Sequence, residues 1–209
     1  MAKKARGGTP TVNHPHGSLS LAPDADAPLL IVFGGIDVSL DGKMVRSGIY
    51  MWNYMTTIKD KFHIFVAYSN HVNGTESYYV LTKALEANGV NPSRQILYLF
   101  SGGYGPGMDL LGSGAGAKLF SSIYLVDIWM GNGKDRSGVV PKFYRALADK
   151  NAAKLSYIYT NFGANNNEAR DYIARKLGGT KATLVKGGGM ETHLRTNKVA
   201  VAALSGETA

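Results

Sequence analysis

Three residues stand where chemistry is easiest to build. Ser101 directly follows the apolar run 96–100 (ILYLF) and is itself followed by Gly102 and Gly103. Asp127 closes the run 123–126 (IYLV), and His193 comes shortly after the run 183–185, beyond Gly187, Gly188 and Gly189. A serine hydroxyl is a weak nucleophile until a base takes its proton, and an imidazole serves as that base when a carboxylate orients it. Hydroxyl, carboxylate and imidazole together describe acyl transfer through a covalent intermediate. The two glycines after Ser101 suit that purpose, because a nucleophile raised on a sharp strand-to-helix turn needs neighbours without side chains.

The rival residues are weaker. The run 155–159 ends Tyr159-Thr160-Asn161 and offers no carboxylate before Glu168, so Asp127 is preferred as the acid, with Asp135 in the following segment as the alternative. Of the five histidines, His14 and His16 lie near the amino terminus, His63 begins an apolar run and His71 follows one. His193 beside Glu191 has no second histidine at metal-ligand spacing, so no metal and no cofactor are expected. A phosphate-binding loop is the competing use of Ser101 and of Gly34-Gly35. No Gly-x-x-x-x-Gly-Lys-Ser/Thr pattern occurs, and the glycines of 112–116 lack a directly preceding strand.

These residues need a frame. Six short runs, 29–33, 62–68, 96–100, 123–126, 155–159 and 183–185, are β-branched or aromatic and apolar on both faces, as strands buried between two helical layers must be. Segments 47–58, 75–88, 139–149 and 168–177 carry helical spacing, and Asn88-Gly89 and Gly178-Gly179 are helix stops. Strand and helix in alternation predict a three-layer α/β/α sandwich with a mostly parallel sheet. Active residues in such a sheet lie in the loops past the carboxyl ends of the strands, which is where Ser101, Asp127 and His193 fall. Trp52, Trp129 and the tyrosines read as core and pocket wall.

Composition narrows the class. At 209 residues, 44% hydrophobic and 18% charged, the chain suits one folded domain, and the lack of cysteine excludes disulfides, thiolate metal sites and a thiol nucleophile. Residues 1–27 have no hydrophobic period and read as a flexible basic arm, of which 1–25 are expected to be dispensable for turnover, with the domain spanning 28–209. The net charge of +8, with Lys3, Lys4 and Arg6 in the arm, reads first as a solvated surface, with contact to an anionic surface as the alternative. No run reaches the ~20 apolar residues of a membrane span, and no apolar leader follows the arm. A cytoplasmic protein is the default expectation, with export by an unconventional route as the alternative.

The order and setting of these residues resemble the α/β-hydrolase superfamily. Its nucleophile elbow is Gly-x-Ser-x-Gly, and residues 99–103 read Leu-Phe-Ser-Gly-Gly: Gly103 matches, while Leu99 departs and calls for extra room against the neighbouring helix. The family order of serine, acid and histidine is that of Ser101, Asp127 and His193. The resemblance covers residues 28–195, with the family's opening antiparallel hairpin missing and no lid-sized insertion, so the site is expected to be open. It implies an oxyanion hole made by the Gly102 N–H with Gly35 or Ile36. The implied activity is that of a serine esterase acting on a small or acylated ester; a phosphate-binding module or a non-catalytic relative is the alternative.

Overall fold

The computed structural model describes residues 11–40, 43–112, 116–128, 147–149, 153–161 and 167–207. The strands, in chain order, are β1 (Thr11–His14), β2 (Gly17–Ser20), β3 (Leu29–Phe33), β4 (Val38–Leu40), β5 (Lys43–Val45), β6 (His63–Ala67), β7 (Gln95–Phe100), β8 (Ser122–Val126), β9 (Lys154–Tyr159) and β10 (Ala182–Leu184). The helices are α1 (Ser47–Met55), α2 (Gly74–Ala87), α3 (Tyr104–Gly112), α4 (Asn167–Leu177) and α5 (Gly189–Gly206). All six apolar runs are strands. The candidate helix 139–149 lies outside the described residues apart from 147–149, as do Asp135, Trp129 and the basic residues Lys3, Lys4 and Arg6.

Eight strands form one sheet in the order β1-β2-β6-β3-β7-β8-β9-β10, and β4 pairs with β5 apart from it. From β6 to β10 every neighbouring pair in the sheet is parallel, and β2 is the one reversed strand. Alternate residues of a strand point to opposite faces, so each central strand feeds two cores. Leu29, Ile31 and Phe33 pack with α2, α3 and α4 on one face, and Leu30 and Val32 pack with α1 and α5 on the other. That two-sided burial is why the runs carry no polar alternation. The three-layer sandwich expected from the sequence is the architecture found.

The amino-terminal expectation is corrected. Residues 11–20 are not part of a flexible arm: they form the β1–β2 hairpin, and β2 pairs with β6 from Gly17↔Ala67 to Ser20↔Ile64. The opening hairpin that had seemed missing is therefore present. Its strands are four residues each and nearly devoid of large apolar side chains, so neither period shows. Gly17 is required there, since a Cβ would stand 2.4 Å from the Val66 carbonyl oxygen. The expectation that residues 1–25 are dispensable falls with it, because their removal strips two strands from the sheet.

The hairpin region makes stability sensitive to acid. His14 is buried against Phe65, and its Nδ1 accepts the His16 N–H at 3.0 Å. His63 is buried as well, with Nδ1 accepting the Ala22 N–H at 3.1 Å and Nε2 facing the Ala25 carbonyl at 3.3 Å. Burial pushes the pKa of both below the ordinary 6.5; for His14 the neighbouring His16 adds to the effect and Ser77 opposes it, while for His63 the Ala25 carbonyl, Asp24 and Asp26 oppose. Below 6.5 the unfolded chain takes up protons that the folded chain resists, so stability present above that pH is lost as pH falls. The Tm is expected to fall between pH 7.5 and pH 5, and less steeply in His14→Gln. A wild-type Tm that is flat over this range would contradict the assignment.

Helix α5 is fixed at its middle and at its carboxyl end. Tyr98 on β7 donates to Asn197 Oδ1 at 2.6 Å. Glu207, just past α5, accepts from Tyr124 at 2.6 Å and Ser122 at 3.2 Å and pairs with Lys154 Nζ at 3.2 Å. Burial alone would raise the Glu207 pKa, but these donors together hold it below the ordinary carboxylate value. Stapled to β7 and β8 in this way, α5 carries His193 to the carboxyl ends of the strands.

Candidate active site

Ser101 sits at φ +52, directly after β7, as the first residue of a single 3-10 turn, Ser101–Gly103, that runs into α3. A non-glycine residue in the left-handed region costs of order 1–3 kcal/mol and is kept only where the surroundings enforce it. The surroundings here are tight. A Cβ on Gly103 would lie 2.2 Å from the Phe33 carbonyl oxygen, and one on Gly35 would lie 3.0 Å from Ser101 Oγ. The room that Leu99 demands is supplied by Gly107 on α3, whose Cβ would stand 2.5 Å from Leu99 Cδ1. A departure in one half of the elbow is thus matched by a glycine in the helix it faces.

The acid and the imidazole are in contact. His193 Nδ1 lies 2.6 Å from Asp127 Oδ2, and both side chains are about nine-tenths buried. A carboxylate at that distance fixes the tautomer: Nδ1 carries the hydrogen and Nε2 is left as a base. Asp127 is itself at φ +40 and is held by Thr160, whose N–H donates to Oδ1 at 2.8 Å and whose hydroxyl donates to Oδ2 at 2.7 Å. The imidazole stacks on Phe100, the residue before Ser101, with ring centroids 4.6 Å apart. His193 was expected in a glycine-rich loop. It lies instead in the first turns of α5, a helix that opens at Gly189 without a capping side chain.

The glycine loop after β3 lies against the elbow. Gly35 lies against the Ser101 side chain, and the Ile36 nitrogen lies 3.4 Å from where a Gly102 Cβ would stand, so the loop and the elbow are in close contact. Of the two positions left open, Ile36 is the one beside Gly102. Tyr50 on α1 donates to the Ile36 carbonyl at 3.1 Å and so anchors the loop, while burial pushes its phenol pKa up, keeping it a donor. Among the described residues no cluster of histidine, aspartate or glutamate is arranged to hold a metal.

Sequence reading passed over Thr160, Tyr50 and Asn70, whose amide Nδ2 lies 3.1 Å from the same Gly102 Cβ position. Thr160 and Asn70 follow the ends of β9 and β6, and a place past a strand's carboxyl end is the sequence signal that marks both. Segments 129–146 and 162–166 lie outside the described residues, and with them the expectation of an open site.

The chain is similar in fold to Est1E from Butyrivibrio proteoclasticus, with a TM-score of 0.56 and 10% identity over 97% of this chain and 99% of that one. It is similar also to an IroE-like serine hydrolase from Shewanella oneidensis, with a TM-score of 0.54 and 12% identity over 90% of this chain and 73% of that one. No protein-family model matches the chain, and no curated protein does. The fold is that of the α/β-hydrolases.

Proposed function

We propose that the chain is a serine hydrolase that cleaves a carboxylic ester through Ser101, His193 and Asp127. The observation that carries the reading is Ser101 at positive φ on a strand-to-helix turn, with the Asp127–His193 pair at the same strand ends. A strained, side-chain-bearing elbow has no use in a phosphate cradle, where glycine serves better. The reaction then follows. His193 Nε2 takes the Ser101 proton as Oγ attacks the ester carbonyl, and Asp127 stabilises the imidazolium that forms. The Gly102 and Ile36 N–H groups hold the oxyanion, each worth about 3 kcal/mol when aimed at developing charge. Collapse expels the alcohol, which takes the proton from His193, and water releases the acid from Ser101 by the same steps in reverse order.

A fluorophosphonate probe tests this directly, because it phosphonylates only a serine activated by its base. Wild type is expected to gain one adduct by intact mass, mapping to Ser101. Ser101→Ala is expected to gain none, and His193→Ala to react too slowly to detect. A well-folded wild type that stays unlabelled would overturn the hydrolase reading.

A further inference from the structure

We infer that the Asn70 side-chain amide is a third donor to the carbonyl oxygen of the substrate, beside the Gly102 and Ile36 N–H groups; the inference rests on the hydrolase reading. Asn70 stands three residues past the end of β6, the strand next to β3, and is half-buried. Its Nδ2 lies 3.1 Å from the point that a Gly102 Cβ would occupy, and the Ile36 nitrogen lies 3.4 Å from that same point. The Asn70 amide and the Ile36 nitrogen therefore lie on the same side of Gly102. The Asn70 amide makes no hydrogen bond to another described residue, and neither does the Ile36 N–H. The Gly102 N–H opens the turn after β7, where the first amides have no acceptor within the turn.

Ile36 is exposed and Asn70 half-buried, so water can reach these donors until a ligand oxygen replaces it. A carboxylate or a phosphate would also satisfy donors, but Ser101, the proposed nucleophile, is the residue before Gly102, and its Oγ lies against Gly35 in the loop that carries Ile36. The oxygen that best suits these donors is therefore the carbonyl oxygen that becomes negative as Oγ adds to its carbon. A Cβ on Gly102 would crowd both Asn70 and Ile36, so glycine there keeps the approach to these donors open. A donor that matters only as charge develops lowers the barrier without tightening the ground state.

The test compares wild type, Asn70→Ala and the isosteric Asn70→Asp on a p-nitrophenyl ester, with binding of a trifluoromethyl ketone that forms a tetrahedral oxyanion on Ser101. In Asn70→Ala, kcat is expected to fall roughly 10- to 100-fold with KM within about threefold, and affinity for the ketone to fall in parallel. Asn70→Asp places a carboxylate against the oxyanion and is expected to be slower still, at an unchanged Tm. A merely structural asparagine would leave the ketone affinity untouched. If Asn70→Ala matches wild type in kcat and ketone binding while Ser101 still takes the fluorophosphonate, the Asn70 assignment is wrong and the hydrolase reading stands. If wild type neither turns over ester nor labels, both fall together.

Discussion

Asp127→Asn is expected to leave a folded protein whose kcat/KM for a soluble ester is lower by about 10,000-fold. The reason lies in Thr160. Its N–H donates to Oδ1 of Asp127, so in the variant the amide oxygen takes that place and the NH2 group turns toward His193. A donor now faces Nδ1, which must give up its hydrogen and accept. The imidazole then carries its proton on Nε2, the nitrogen that has to act as base. Shape, burial and the bond to the Thr160 N–H persist, and the Thr160 hydroxyl can rotate to suit the new partner, so the Tm should change little. Kinetics on a p-nitrophenyl ester, with thermal unfolding as the control, decide the matter. A variant within tenfold of wild type would place the working carboxylate elsewhere, with Asp135 next to be replaced.

Much of this site was legible in the sequence because parallel α/β sheets put chemistry at one edge. Ser101 was marked by a buried run ending in Ser-Gly-Gly, and Asp127 by a carboxylate closing a strand that tolerates no other charge. His193 was found by its place after the last run, although its helix was missed: three glycines and no capping side chain hide the start of α5. The β1–β2 hairpin was missed for a different reason. Strands of four residues carrying histidine, asparagine and serine have no hydrophobic period, and what holds them is the pairing of β2 with β6 and the contact of His14 with Phe65. Such stabilisation comes from contacts distant in sequence, which local patterns do not encode. Thr160 and Asn70 were marked only by their places after the ends of β9 and β6. Their importance is relational, fixed by what they face across the strand ends rather than by their type.

Gly103→Ala is expected to damage both fold and site, because the elbow and the glycine loop share one contact. The new Cβ would lie 2.2 Å from the Phe33 carbonyl oxygen, 2.8 Å from its carbon and 2.9 Å from the Gly34 oxygen, all backbone atoms. Side chains can turn away from such an intrusion, but Phe33 ends β3, which is paired with β6 on one side and β7 on the other. Relief requires α3 and its turn to move off the sheet, and overpacking of this kind costs about 3 kcal/mol. For a chain of this size that lowers the Tm by roughly 6–12 °C. Turnover should fall further than the folded fraction does, since the shift separates Gly102 from Ile36. Gly105→Ala is the control: two residues along, a Cβ would meet only the Asn70 carbonyl oxygen at 3.8 Å, so it should fold as well as wild type or better. If Gly103→Ala melts with wild type, β3 and the elbow do not touch as described. If it melts early while Gly105→Ala does not, the contact that positions Ser101 is also one that holds the sheet to its helices.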